Sequence, residues 1–227
     1  IYFDSADTPP RRPVPLLAVL AHENGHKVFH NILVSCPADR QALAGMFNDF
    51  VELVSSGQTG ALPTMKAQYS ALEAYGQWML AHPSDQEKMP MPSPAEFKDE
   101  NTRHPLWGAF GEYMAELYTL HVLFPEASQT HIQSNIMTLA HRDVMRRLVR
   151  SGGRPSHPLG SDEEKKYFRE YLQMQQNEWG QRVADLITLL NDIRSQAVAT
   201  PATRQDFQER YRQLDYDQRA HFVKISP

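Results

Sequence analysis

Hydrophobic residues recur at helical spacing through most of this chain. From Pro15, which suits a first helical position, Leu16, Leu17, Val19, Leu20, Val28, Phe29, Ile32 and Leu33 mark a helix to about Ser35. Further helices are expected near 38–56 and 63–81, separated by the Gly- and Pro-punctuated run SGQTGALP. Residues 82–105 are rich in proline and charge and keep no period, which reads as a long surface loop, a place where function often sits. The helical period returns over 106–123, where Leu106, Phe110, Met114, Leu117, Leu120 and His121 share one face, and continues after Pro125 to about Arg150. SGGRPSHPLG at 151–160 is the clearest linker. Beyond it, Ser161 and Glu164 form a capping box that opens a helix to about Val198. Pro201 stops it, and a short helix near 203–220 closes the pattern.

The expected fold is therefore mainly α, with at most a small N-terminal β element at Ile1 to Phe3 ahead of a proline-rich stretch. Residues 1–150 form one domain, 151–160 a linker, and 161–227 a helical region packed on it or appended to it.

Composition narrows the class. A chain of 227 residues buries about 70–75% of its unfolded surface and needs neither disulfide nor oligomer for a core. The net charge of −4 lacks the broad positive field of a nonspecific nucleic-acid binder, and Arg142, Arg146, Arg147 and Arg150 read as a solvated face. No nucleic-acid partner is expected. The longest uncharged apolar stretch, Val14 to Ala21, is far short of the roughly 20 residues that span a bilayer. Cys36 is alone and reports no redox compartment. The start at Ile1 shows no signal-peptide pattern and suits a processed or excised chain. Trp78, Trp107 and Trp179 lie in expected helices and read as core.

The chemistry is concentrated in His22-Glu23-Asn24-Gly25-His26, an H-E-x-x-H pattern inside an expected helix. Imidazoles four residues apart differ by about 40° around a helix and about 6 Å along it, so both can reach one ion. Glu23, beside the first of them, is placed to act as general base on a water at the ion. The alternative is a surface helix that happens to carry these residues. The apolar run LLAVLA before the motif argues for burial instead, and buried His and Glu side chains need partners. His30 lies about another 6 Å along and turns away from the same ion, so it reads as an ordinary histidine.

A catalytic zinc takes three protein ligands and leaves one position open. Glu112 and Glu116, one turn apart on the 106–123 helix, offer the third: one carboxylate can bind the ion while the other accepts from a ligand histidine. A solvated pair of glutamates is the alternative. Ala115 between them would allow close helix packing.

Together the two segments resemble the gluzincin metallopeptidases. Glu112-Tyr113-Met114-Ala115-Glu116-Leu117 is similar to the glutamate helix of the anthrax lethal factor-like branch, which reads E-x-x-A-E followed by apolar residues. The resemblance covers about 40 residues. It implies a zincin-like fold, one zinc ion held by His22, His26 and Glu112, Glu23 as base, and Glu116 orienting a zinc histidine. Phe29 and Ile32 stand where a metzincin would need Gly and His. That branch places a tyrosine one or two turns before the glutamate ligand, where this chain has His104-Pro105-Leu106-Trp107. His104, Tyr113, Tyr118, His121 and His141 remain as candidate donors to an oxyanion.

The expected function is zinc-dependent hydrolysis of a protein or peptide substrate, with a secreted or injected bacterial effector as the leaning by analogy. Two alternatives stay open: a zinc-stabilised interaction domain whose pocket is closed by 82–105, and a zinc hydrolase acting on a non-peptide amide such as a cell-wall crosslink.

Overall fold

A computed structural model describes residues 13–35, 37–82, 89–92, 104–124, 161–195, 205–206 and 208–213. Five helices carry the architecture: α1 (Pro13–Ser35), α2 (Pro37–Ser55), α3 (Met65–Ala81), α4 (Trp107–Leu123) and α5 (Ser161–Ser195), with a 3₁₀ turn at Thr59–Ala61. No strand occurs among the described residues. The mainly α reading holds, and its boundaries lie within about three residues of those expected. The proposed β element at 1–3, the helix after Pro125, the 151–160 linker, Cys36, His141 and the arginine cluster lie outside the described residues.

Local chemistry sets the ends. α1 and α2 each open on proline, whose missing N–H would be unpaired there in any case. α2 closes in a Schellman motif: Gly57 N–H donates to Val54 O, Gln58 N–H donates to Leu53 O, and Gly57 takes φ 81°. Thr64 caps α3 by accepting from Ala67 N–H at 3.2 Å.

α4 is the central helix, with every residue from Tyr113 to Leu120 buried, as a helix walled on all sides requires. α2 sets Leu43, Phe47, Phe50, Val51 and Val54 against the core, and the Phe47 and Phe50 rings meet Phe110 at 4.9 and 5.5 Å. Burying such a ring contributes about 1.5–3 kcal/mol. α1 lies along α4 at its closest where Gly25 faces Ala115: a Cβ on Gly25 would stand 2.9 Å from Ala115 Cα. The small residue anticipated at 115 is thus matched by a glycine inside the H-E-x-x-H pattern.

α5 packs on α3 through Val183, Leu186 and Leu190, and its first half closes a second cluster with Ala18, Leu120, Phe124 and Tyr171. Trp78 is buried, and Trp107 and Trp179 are partly buried against the same core. The apolar run at the start of α1 does not behave as expected. Ala18 and Ala21 are buried, but Leu16, Leu17, Val19 and Leu20 are exposed. A run apolar on every side cannot report which face a helix buries.

Candidate metal centre

The α1–α4 contact brings the two motifs together. His22 and His26 stand one turn apart on α1, their rings nearly perpendicular with centroids 4.7 Å apart, so their Nε2 atoms converge at 3.0 Å. Glu112 enters from α4, with Oε2 3.2 Å from His22 Nε2 and Oε1 3.3 Å from His26 Nε2. Donors on a tetrahedral zinc, at bond lengths near 2.0–2.1 Å, stand about 3.3 Å from one another. In this triangle of residues the His22–His26 edge and the two contacts of Glu112, each made by a different carboxylate oxygen, come close to that spacing, and with one ligand atom taken from each residue the three lie within 4.8 Å of one another. Two imidazoles and one carboxylate are also a donor set that suits zinc, so the residues present fit the ion.

Glu116 comes up behind. Its Oε1 lies 2.8 Å from His22 Nδ1, and its side chain is only 2% exposed, which removes the reading of a solvated glutamate pair. The carboxylate stands to one side of the N–H direction, so the contact is an ion pair more than an aligned hydrogen bond. The other oxygen accepts from Tyr171 of α5 at 2.5 Å, and Gln175 Nε2 donates to the Tyr171 hydroxyl at 3.2 Å. Gln175 Oε1 in turn accepts from Lys66 N–H at 2.8 Å, satisfying a donor that the first turn of α3 leaves unpaired. A chain of polar contacts thus runs from α3 through α5 to the buried face of His22.

The electrostatics are those of a compact charge cluster. Burial disfavours a charged His22, but its contacts with Glu112 and Glu116 outweigh this and push it up to about 9, with the Lys66 ammonium partly opposing. Burial would likewise raise the Glu112 carboxyl. Contacts with His22 and His26 and the charge of Lys66 overcome that and hold it well below the usual carboxylate range. Burial and the adjacent Glu116 carboxylate keep the Tyr171 hydroxyl protonated far above its ordinary range.

Beside the triangle lies an open cleft of about 120 Å³, lined on one wall by Ala18, Val19, His22 and Glu23 and on the other by α5 side chains such as Tyr171 and Gln175. Glu23 is exposed and faces this space, as a base acting on water must. His30 is exposed on α1 and belongs neither to the triangle nor to the cleft lining.

The described candidates for an oxyanion donor fall elsewhere. His104 Nε2 meets Pro90 O at 2.7 Å and packs on Phe47. Tyr113 is buried and stacked on Phe50, the Tyr118 hydroxyl accepts from Asn24 at 2.7 Å, and His121 is half-buried outside the cleft. The described residues of the 82–105 loop, at 82, 89–92 and 104–105, do not line the cleft either.

Three residues that the sequence reading did not single out belong to the site: Lys66, Tyr171 and Gln175. Two had a readable signal. Lys66 stands in the first turn of α3, where a cation opposes the helix dipole, and a locally unfavourable choice of this kind often marks function. Gln175 is a polar residue in the buried stripe of α5 and so requires a partner. Comparison of the chain with protein-family models, with curated proteins and with solved structures gives no match.

Proposed function

We propose that this chain is a zinc metallopeptidase of the gluzincin type, with a zincin-like arrangement of α1 and α4, one zinc per chain held by His22, His26 and Glu112, and a protein or peptide as substrate. The observation that carries the reading is the donor triangle of His22, His26 and Glu112, with one ligand atom from each lying within 4.8 Å of the others, backed by Glu116 at 2.8 Å from His22. A zinc ion there supplies Lewis acidity toward a carbonyl oxygen and lowers the pKa of water.

The chain's own residues do the rest. Glu23, exposed in the cleft one residue after His22, takes the proton of the attacking water and delivers it to the leaving amine. Glu116, held by Tyr171, fixes the His22 ring so that Nε2 faces Glu112 and His26. A narrow protein substrate and, by analogy alone, a secreted or injected bacterial effector complete the reading.

Elemental analysis of the purified chain tests this. The expected result is one zinc per chain, lost or sharply reduced in Glu112→Ala and retained in Glu23→Ala, which becomes the inactive control for substrate profiling. A wild-type chain that takes up no zinc at neutral pH ends the proposal.

A further inference from the structure

One charged group in the cluster has no part in that chemistry. Lys66 reaches in from the first turn of α3, with Nζ 2.9 Å from His22 Nε2 and 3.2 Å from Glu112 Oε2. Those two atoms are also corners of the donor triangle. Their lone pairs cannot serve an ammonium and a metal ion together. With a bond of about 2.1 Å to His22 Nε2, an ion would lie no more than about 5 Å from Nζ at its present distance from that nitrogen. Like charges that close, in a site only about 30% exposed, repel strongly.

The lysine has somewhere to go. Its backbone is pinned by Gln175, so the movement is confined to a flexible four-carbon side chain. That side chain already lines the cleft, together with the exposed carboxylates of Glu23 and Glu178. It is the sole lysine or arginine among the described residues lining that space.

We infer that Lys66 and a divalent metal ion exchange at the His22–Glu112 pair, the ion entering as the ammonium swings into the cleft. Lys66 holds the two ligands from different helices together before loading and sets how tightly the ion binds. After exchange it stands on the substrate side, where a cation meets a carbonyl or carboxylate oxygen. The inference rests on the metal-site reading above.

The test is zinc affinity of the full chain, measured by competition with a chromophoric chelator, for wild type, Lys66→Met and Lys66→Arg. Lys66→Met removes the charge at similar length and is expected to bind zinc at least about ten-fold tighter, a shift on the scale of changes beside a metal ligand. Lys66→Arg stays near wild type. Equal or weaker binding by Lys66→Met, with zinc still bound one to one by wild type, overturns the exchange and leaves the metal site standing. Failure of wild type and variant alike to bind removes both. A second readout needs no variant: labelling of the Lys66 amine by an acylating reagent, followed by mass spectrometry, should rise when zinc is added. Unchanged or reduced labelling overturns the exchange.

Discussion

At the scale of single residues the site is organised around His22, which is buried and meets Glu112, Glu116, His26 and Lys66 within 3.2 Å. No single arrangement of protons suits all four contacts. A proton on Nε2 serves Glu112 but opposes the ammonium, and a lone pair there serves Lys66 but opposes the carboxylate. A divalent ion would resolve the conflict between the ligands, because ligand atoms of both histidines and Glu112 lie within 4.8 Å of one another. The cluster also predicts a pH dependence in chelator, where no metal complicates the titration. His22 is raised from 6.5 to about 9, so its contribution to stability is fully present below 6.5 and is lost as pH rises through 9. Glu112 is lowered from 4.5, so its contribution is present above 4.5 and fades as pH falls toward its depressed value. Urea melts in chelator should therefore show a stability plateau between about 4.5 and 6.5 and a decline toward 9, with a flatter decline in Glu116→Gln. An unchanged midpoint from 6.5 to 9 would show that the cluster does not hold charge on His22.

At the scale of elements the decisive contact is α1 against α4. The H-E-x-x-H pattern sets which side chains α1 can aim at an ion, but the depth at which the helices meet is set by Gly25 and Ala115. A Cβ on Gly25 would come within 2.9 Å of Ala115 Cα and 3.1 Å of its carbonyl oxygen, and backbone atoms cannot yield as a flexible side chain does. Gly25→Ala should destabilise the chain by about 1–3 kcal/mol and weaken zinc binding by moving both histidines away from Glu112. Gly111→Ala is the contrast. Its Cβ would meet nothing within 4 Å, so only helix propensity acts, and a gain of about 0.5–1 kcal/mol is expected. Urea denaturation of both variants separates the two effects, and equal midpoints would mean that the close approach has no energetic weight.

At the scale of the molecule the surprise is α5. Its sequence reads as a well-capped helix after a linker, which suits an appendage as well as an integral part. In the fold it walls the cleft, holds Glu116 through Tyr171 and ties down the start of α3 through Gln175. Val183, Leu186 and Leu190 are all at most 5% exposed, so removing the helix would uncover the α3 face it covers. A chain ending at residue 160 should lose both its cooperative thermal transition and its zinc affinity. A truncated chain that melts cooperatively and binds zinc as wild type does would show that α5 is an appendage. Among the described residues no helix is long and apolar enough to cross a membrane, in keeping with the expectation of no spanning segment.

The sequence by itself determined the described helices, because the hydrophobic period is a local property read within a few residues. It also determined the pairing of His22 with His26 and of Glu112 with Glu116, because a four-residue spacing fixes a shared helix face whatever surrounds it. Only the tertiary structure decided that the two pairs meet, that Glu116 is the buried partner and Glu112 the partly exposed one, and that Lys66 and Tyr171 join them. Those residues lie between 44 and 109 positions apart in the contacts they make. Nothing in a local pattern carries such a distance; the packing of α4 against α1, α3 and α5 does.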